Sequence, residues 1–272
     1  RFGTSLMAEN DLYDSTIVLV PRNPTLDNYR IVFDLTDFPR SMLNTLWTSL
    51  LVSVLQVVSC TLVGYGFARF SFPLKKFWFA CVVLLIIVPP TTIQTSLYMY
   101  FANFDILGII KAINGKPINL RTSIIPYAMM SLTCMGLKNG LYIYMLRQFF
   151  TGVPDALEES AYLDGAGTMR TFFQIILPLS VPMMITVFLF AFCWQWTDDF
   201  YTGLFFSSTN VNLLTKIVDI PPSLQLEYAG TDLYNSAIRN TCGLMIIAPL
   251  VILYAFCNRF LVQGIEHSGM AN

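Results

Sequence analysis

Long runs without a charged side chain alternate with short polar stretches from about residue 42 to residue 258. The first run covers Met42 to Ala68 and ends at Arg69; the second covers Phe77 to Phe104. A third extends from Thr122 to Leu146 and is interrupted once, by Lys138. A fourth starts near Gln174 and passes Trp194 and Trp196, and a fifth covers Thr241 to Asn258. About 20 apolar residues cross the hydrocarbon core as a helix, so the pattern predicts five membrane spans. Pro89 and Pro90 remove two adjacent backbone donors, which predicts a kink or break near the middle of the second span. Pro178 and Pro182 fall in the first turns of the fourth.

The polar stretches divide the rest. Residues 1–41, with turn formers at Pro21, Asn23, Pro24 and Pro39, read as an extramembrane segment. A short loop carries Arg69, Lys75 and Lys76, and a polar excursion from Asp105 to Arg121 contains the turn signal Asn114-Gly115. A longer loop, residues 207–240, includes Pro221-Pro222. The most informative stretch is residues 147–173. Pro154 suits a helix's first turn, and Asp155, Glu158 and Glu159 sit where acids favour the positive end of the helix dipole. Gly165 and Gly167 end that helix and permit a sharp turn; a second amphipathic helix, about Met169 to Ile176, then leads into Pro178. Crossing a bilayer needs no such island. Two short helices joined by glycine make a knob for docking something in the aqueous phase; the residues alone also fit a plain surface loop.

Composition agrees with the pattern. Hydrophobic residues make up 55% of the chain and charged ones only 12%, against about 25% in a soluble domain, and mean hydropathy is +0.59. The expected fold class is therefore an all-α integral membrane protein, a polytopic helical bundle. A net charge of −1 points to neither nucleic acid nor an anionic surface as a partner. Cys60, Cys81, Cys134, Cys193, Cys242 and Cys257 all lie in or at the end of apolar runs without paired spacing, so they read as small buried hydrophobes. With His267 as the single histidine, no metal site is expected. No Gly-x4-Gly-Lys-Ser/Thr occurs, so ATP hydrolysis through a P-loop lies outside this chain. No loop collects a nucleophile, base and orienting group, which argues against an enzyme. Basic residues are about equally dense on both faces, so the positive-inside rule does not orient the spans.

Glu159-Ser160-Ala161, three residues, Gly165, nine residues, then Ile175-x-Leu177-Pro178 resembles the cytoplasmic EAA loop of bacterial binding-protein-dependent ABC importer permeases. Ser160 replaces the usual second alanine, small for small. Leu146 to Phe150, Pro154, Asp164-Gly165-Ala166 and Trp194 to Phe200 are similar to the carbohydrate branch of that family. Thr25-Leu26-Asp27-Asn28-Tyr29 resembles the segment after the family's first span, and Val262-Gln263-Gly264-Ile265 with Gly269 the tail of its smaller, maltose-type subunit. The usual lysine of that tail is missing from Gly269-Met270-Ala271-Asn272.

The resemblance implies the ABC importer permease fold with six spans, one of them expected before residue 1. It also implies that the island and C-terminus are cytoplasmic, with residues 1–41 and the Pro221-Pro222 loop extracytoplasmic, in a bacterial cytoplasmic (inner) membrane. Its implied partners are a second permease subunit, two ATP-binding subunits docking on the loop, an extracytoplasmic solute-binding protein and membrane lipid. ATP and Mg would be bound by the partner ATPase, and no cofactor is expected in this chain. Glu158, Glu159, Ser160, Ala161, Asp164, Gly165, Ala166, Leu177 and Pro178 are the implied coupling residues. Glu159 would supply the charged contact, and Ala161 and Gly165 would be small to let the surfaces approach.

A translocation path is harder to place. Lys138 lies nine residues from Arg147, roughly 13 Å along a helix. At that depth a lysine is costly unless it faces water or a partner. It lines a cavity with Asn139 near Asp198 or Asp199, pairs with one of those acids for structural reasons, or snorkels to the interface. Trp194, Trp196 and Tyr201 offer rings that stack on sugar or pack inside the bundle. Another small polar solute would suit the same machine. An ion-coupled secondary transporter would instead need internal repeats and buried carboxylates; no repeat is visible, and the in-span acids are Asp198 and Asp199.

Overall fold

The computed structural model describes residues 2–12, 20–106, 108–121, 123–206 and 231–269. Among these the regular structure is helical, apart from two isolated bridges, Met7 to Pro24 and Phe104 to Ile118. The helices used below are α1 (Asp27–Leu35), α2 (Phe38–Arg69), α3 (Lys75–Ile87), α4 (Gln94–Ala102), α5 (Ile125–Leu132) and α6 (Asn139–Gly152). They are followed by α7 (Ala156–Leu163), α8 (Thr168–Leu179), α9 (Val181–Trp196), α10 (Phe200–Phe206) and α11 (Thr231–Gly269).

Among the described residues two helices are long and apolar enough to cross a membrane: α2, and residues Asn235–Cys257 of α11. Two bent pairs bring the number to as many as four among the described residues. At Pro89-Pro90 the chain turns by 100° between Lys75–Ile87 and Pro90–Ala102, so the expected kink is a full break. A second bend, of 70°, separates α8 from α9. Here Pro178 has no N–H for the preceding turn and crowds its carbonyl. The helix widens ahead of it: Phe172–Ile176 is π-helical, and Leu177 N–H bonds the Phe172 carbonyl. The bend falls at Ser180, and Pro182 opens α9.

The third predicted span is not one helix. Its α5 ends at Leu132, and α6 begins only at Asn139. Cys134 and Lys138 take left-handed backbone angles, φ 60° and 62°, which end one helix and start the next. Nor does the loop 207–240 hold as predicted: residues 231–240 are the first turns of α11. The remainder of that loop, 207–230 with Pro221-Pro222, lies outside the described residues, as do residues 270–272 of the tail.

The chain forms two compact units. One comprises residues 1–47 and 197–255. Within it the stretch Thr25 to Tyr29 is a clasp for the chain ahead of it. Thr25 N–H bonds the Leu6 carbonyl (2.9 Å), and Asn28 Nδ2 donates to the Ser5 and Met7 carbonyls (3.1 and 3.0 Å). Val32 of α1 packs with Ile238 and Cys242 of α11.

The other unit comprises residues 48–196 and 256–272. Its core joins α2, α3, α6, α8 and α9 through Val57, Tyr65, Val82, Leu146, Phe172 and Val187. Glycines let these helices approach. A Cβ on Gly140 would stand 2.8 Å from the Val82 carbonyl oxygen, and one on Gly64 would stand 2.9 Å from Leu146 Cβ.

The helix α2 is inside out relative to a helix of a soluble protein. Leu43, Trp47, Leu50, Val54, Val58 and Leu62 are exposed, whereas Thr45, Ser49, Ser53, Gln56 and Ser59 are buried. An apolar outer stripe suits lipid or another apolar surface; the polar inner one satisfies backbone elsewhere. Gln56 Nε2 donates to the Leu137 carbonyl (2.9 Å), and Ser59 Oγ donates to the Ser131 carbonyl (2.7 Å). These are carbonyls at the α5–α6 break, and inside a membrane freed backbone groups must find protein partners. The expectation that every cysteine is buried fails at Cys81, which faces outward from α3; the remainder are buried or half-buried, and all six are free thiols.

Candidate coupling site and translocation path

The island folds as two short helices joined at glycine. Asp155 stands at the N-cap of α7, so Pro154 precedes the helix instead of entering its first turn. Glu158 and Glu159 do fall in the first turn. At the other end, Gly165 N–H bonds the Tyr162 carbonyl (3.0 Å) and Ala166 N–H bonds the Ala161 carbonyl (2.9 Å). That pair of bonds is a Schellman closure, which needs a left-handed residue between helix and exit, and Gly165 supplies it at φ 81°. Gly167 has no such duty; its extended backbone caps α8.

The two neighbouring glutamates part ways. Glu159 is exposed. Glu158 is buried against α2: its Oε1 lies 3.1 Å from Arg69 Nε and accepts a hydrogen bond from the Tyr65 hydroxyl (3.4 Å). Arg69 also donates to the Val153 carbonyl (2.6 Å) and pairs with Asp155, whose carboxylate therefore turns away from the α7 amides. Ala161 is buried by this chain as well. Glu158 and Ala161 thus turn inward, toward this chain, and Glu158 ties the island to α2. Ser160, Asp164, Gly165 and Pro178 are exposed, while Ala166 and Leu177 are half-buried.

Sequence reasoning missed the apolar part of the knob. Leu163 is 89% exposed, Met169 68% and Phe173 54%, with Leu157 and Tyr162 also outward. A helical wheel would have placed Leu163 across from Ala161, the one available signal. Exposed acids beside exposed large apolar groups form a surface suited to a protein partner.

The candidate path residues divide between the two units. Lys138 is exposed at the α5–α6 break, and its ammonium sits 4.7 Å above the centre of the Trp194 ring. Trp194 is 46% exposed. Trp196, two residues on and so across the helix, is 1% exposed and packs on Phe192. Tyr201 is buried too, stacked on Phe205. Asn139 is buried at the break and donates to the Ser131 carbonyl (3.4 Å). Asp198 belongs to the other unit and is buried; its carboxylate accepts from the Tyr201 and Thr202 N–H groups (3.3 and 3.0 Å), serving the first amides of α10. Asp199 is exposed, and its backbone carbonyl accepts the Gly203 N–H. Trp196, Tyr201, Asn139 and Asp198 are therefore buried, and Lys138, Trp194 and Asp199 are exposed. Among the described residues no cluster of histidine, cysteine or acids could hold a metal ion.

Residues 60–267 match the family model described as binding-protein-dependent transport system inner membrane component. The chain is 28% identical over 247 residues to the alpha-glucoside transport system permease protein AglG of Rhizobium meliloti, covering 90% of this chain and 60% of that protein. It is 26% identical over 267 residues to the trehalose transport system permease protein SugB of Mycobacterium tuberculosis, covering 97% and 88%. Among solved structures, a bacterial ABC transporter involved in the import of the acidic polysaccharide alginate superposes with a TM-score of 0.68 at 14% identity. That match covers 95% of this chain and 87% of the other and speaks for the fold.

Proposed function

Because the chain belongs to the family of binding-protein-dependent transport system inner membrane components, we propose that it is one membrane-spanning subunit of an ATP-driven importer for a carbohydrate, resident in a bacterial cytoplasmic membrane. The observation that carries the coupling half of this reading is the outward knob, with Glu159, Leu163 and Met169 exposed on a segment clamped from behind by Arg69. The occupant is a separate ATP-binding subunit that holds ATP and Mg. Closure of two such subunits pushes the knobs of this chain and of a second permease subunit together, and the spans rock between inward- and outward-open states. That is a rigid-body switch biased by a ligand.

Carbohydrate cargo is supported by the substrates for which AglG and SugB are named, an alpha-glucoside and trehalose. A solute-binding protein outside the membrane would deliver it. Lys138 and Trp194 are the candidate side chains best placed to meet it, since Lys138 is exposed at the α5–α6 break, Trp194 is exposed near the end of α9, and the two share a cation–π contact.

The test is reconstitution in lipid with the ATP-binding subunit, the second permease and the binding protein encoded alongside. Hydrolysis stimulated by sugar-loaded binding protein is expected in the wild type and lost on combining Glu159→Ala with Gly165→Asp. Solute flux that follows an ion gradient and ignores both substitutions would sink the reading.

A further inference from the structure

We infer that Arg69 is a positioning residue that couples the island to the first described span, α2, so that displacement of α7 is delivered to a helix that is not its neighbour in sequence. This rests on the coupling reading above. The island is already joined through the backbone to α6 on one side and, by way of α8, to α9 on the other. Its grip on α2 has to come from side chains, across 86 residues of sequence.

One guanidinium gathers that grip. Arg69 ends α2; its two terminal nitrogens donate to the Asp155 carboxylate and the Val153 carbonyl, and its Nε stands 3.1 Å from Glu158 Oε1 as an ion pair, which places the linker before α7 and the first turn of α7 on a single planar group. A rigid fork can hold several acceptors in fixed directions, which a lysine cannot. One turn back along α2, Tyr65 reaches the same Glu158 oxygen, so the glutamate is held at two points of one helix face. The side chains of Arg69 and Glu158 are 10% and 11% exposed, little enough that water does not replace either partner.

Around this pair the contact is apolar. Tyr65 lies edge-on to Phe150 (5.5 Å) and tilted against Phe172 (4.6 Å), rings that flank the island on either side. Apolar packing of that kind has no direction and lets surfaces slide; the ion pair fixes the register. Because α2 is a continuous helix, a shift at Arg69 is passed along it to Gln56 and Ser59 at the α5–α6 break.

The experiment uses the reconstituted importer and measures three quantities: ATP-binding subunit recovered per permease, stimulated ATP hydrolysis, and sugar transported per ATP. Arg69→Gln and Glu158→Gln are expected to assemble and hydrolyse ATP while transporting on the order of tenfold less sugar per ATP, the scale of a typical coupling energy. Single variants that assemble and keep wild-type transport per ATP overturn the proposal. If Arg69→Gln does not assemble, Arg69→Lys is read in its place. It keeps the charge without the fork, so transport per ATP falls severalfold if the proposal holds and stays at the wild-type value if it does not. Absence of stimulated hydrolysis in the wild type would count against the importer reading, not against the Arg69 link.

Discussion

The break between α5 and α6 and the island around α7 are both interruptions of an apolar chain, and they use their polar groups in different ways. At the break the freed backbone turns inward: the Ser131 and Leu137 carbonyls take hydrogen bonds from Ser59 and Gln56, while Leu132, Met135 and Lys138 face outward. On the island charged and large apolar groups are exposed side by side, Glu159 and Asp164 beside Leu163 and Met169. An interruption whose freed carbonyls are taken up by a neighbouring helix is a structural joint. One that exposes acids beside large apolar groups is a surface suited to a protein partner, and the inward anchor of Arg69 on Glu158 keeps that surface in one position.

Substitutions on the two sides should separate stability from association. The largest effect is expected at Gly140→Val, just past the break. Its Cβ would enter to 2.8 Å from the Val82 backbone oxygen, which cannot move aside as a flexible side chain would. A loss of about 3 kcal/mol in stability, read by thermal unfolding in detergent, is expected from overpacking of this kind. On the island, Leu163→Asp should leave unfolding unchanged but weaken binding of the ATP-binding subunit. The expected change is about 2 kcal/mol, roughly thirtyfold in Kd, the worth of burying one leucine side chain in the interface. If it destabilised the chain instead, the knob would be part of the core and the contrast would fail.

Gln56→Leu reverses that signature. It strands the Leu137 carbonyl and should cost about 1.5 kcal/mol of stability while affinity for the ATP-binding subunit stays at the wild-type value. The smallest effect is expected at Lys138→Met, which removes the cation above Trp194 and should cost about 0.5 kcal/mol at so exposed a site. Its use is to sharpen the comparison. A tenfold change in KM for the transported sugar would make the break a substrate contact as well as a joint.

Several features could be read from the chain because their causes are local. Uncharged runs mark membrane-crossing segments, the paired prolines at 89 and 90 break a helix wherever it stands, and Gly165 alone suits the left-handed closure of α7. The EAA-like spacing located the island and led to the family before any contact was known. The unbroken third span failed for a reason that is not local. Nothing in the run from Leu132 to Asn139 excludes a helix, and the left-handed turns at Cys134 and Lys138 stand because Gln56 and Ser59, far off in sequence, satisfy the carbonyls.

What only the tertiary structure decided is which way each side chain faces. Successive helix residues are turned by about 100°, and neither an apolar run without a stripe nor a two-turn helix with adjacent acids shows which face meets a neighbour. So Glu158 is clamped while Glu159 is exposed, and Trp194 is open while Trp196 is sealed. The same limit hid Arg69. As a sequence feature it is the first charge after a span; its meeting with Val153, Asp155 and Glu158 is a property of how α2 packs against the island.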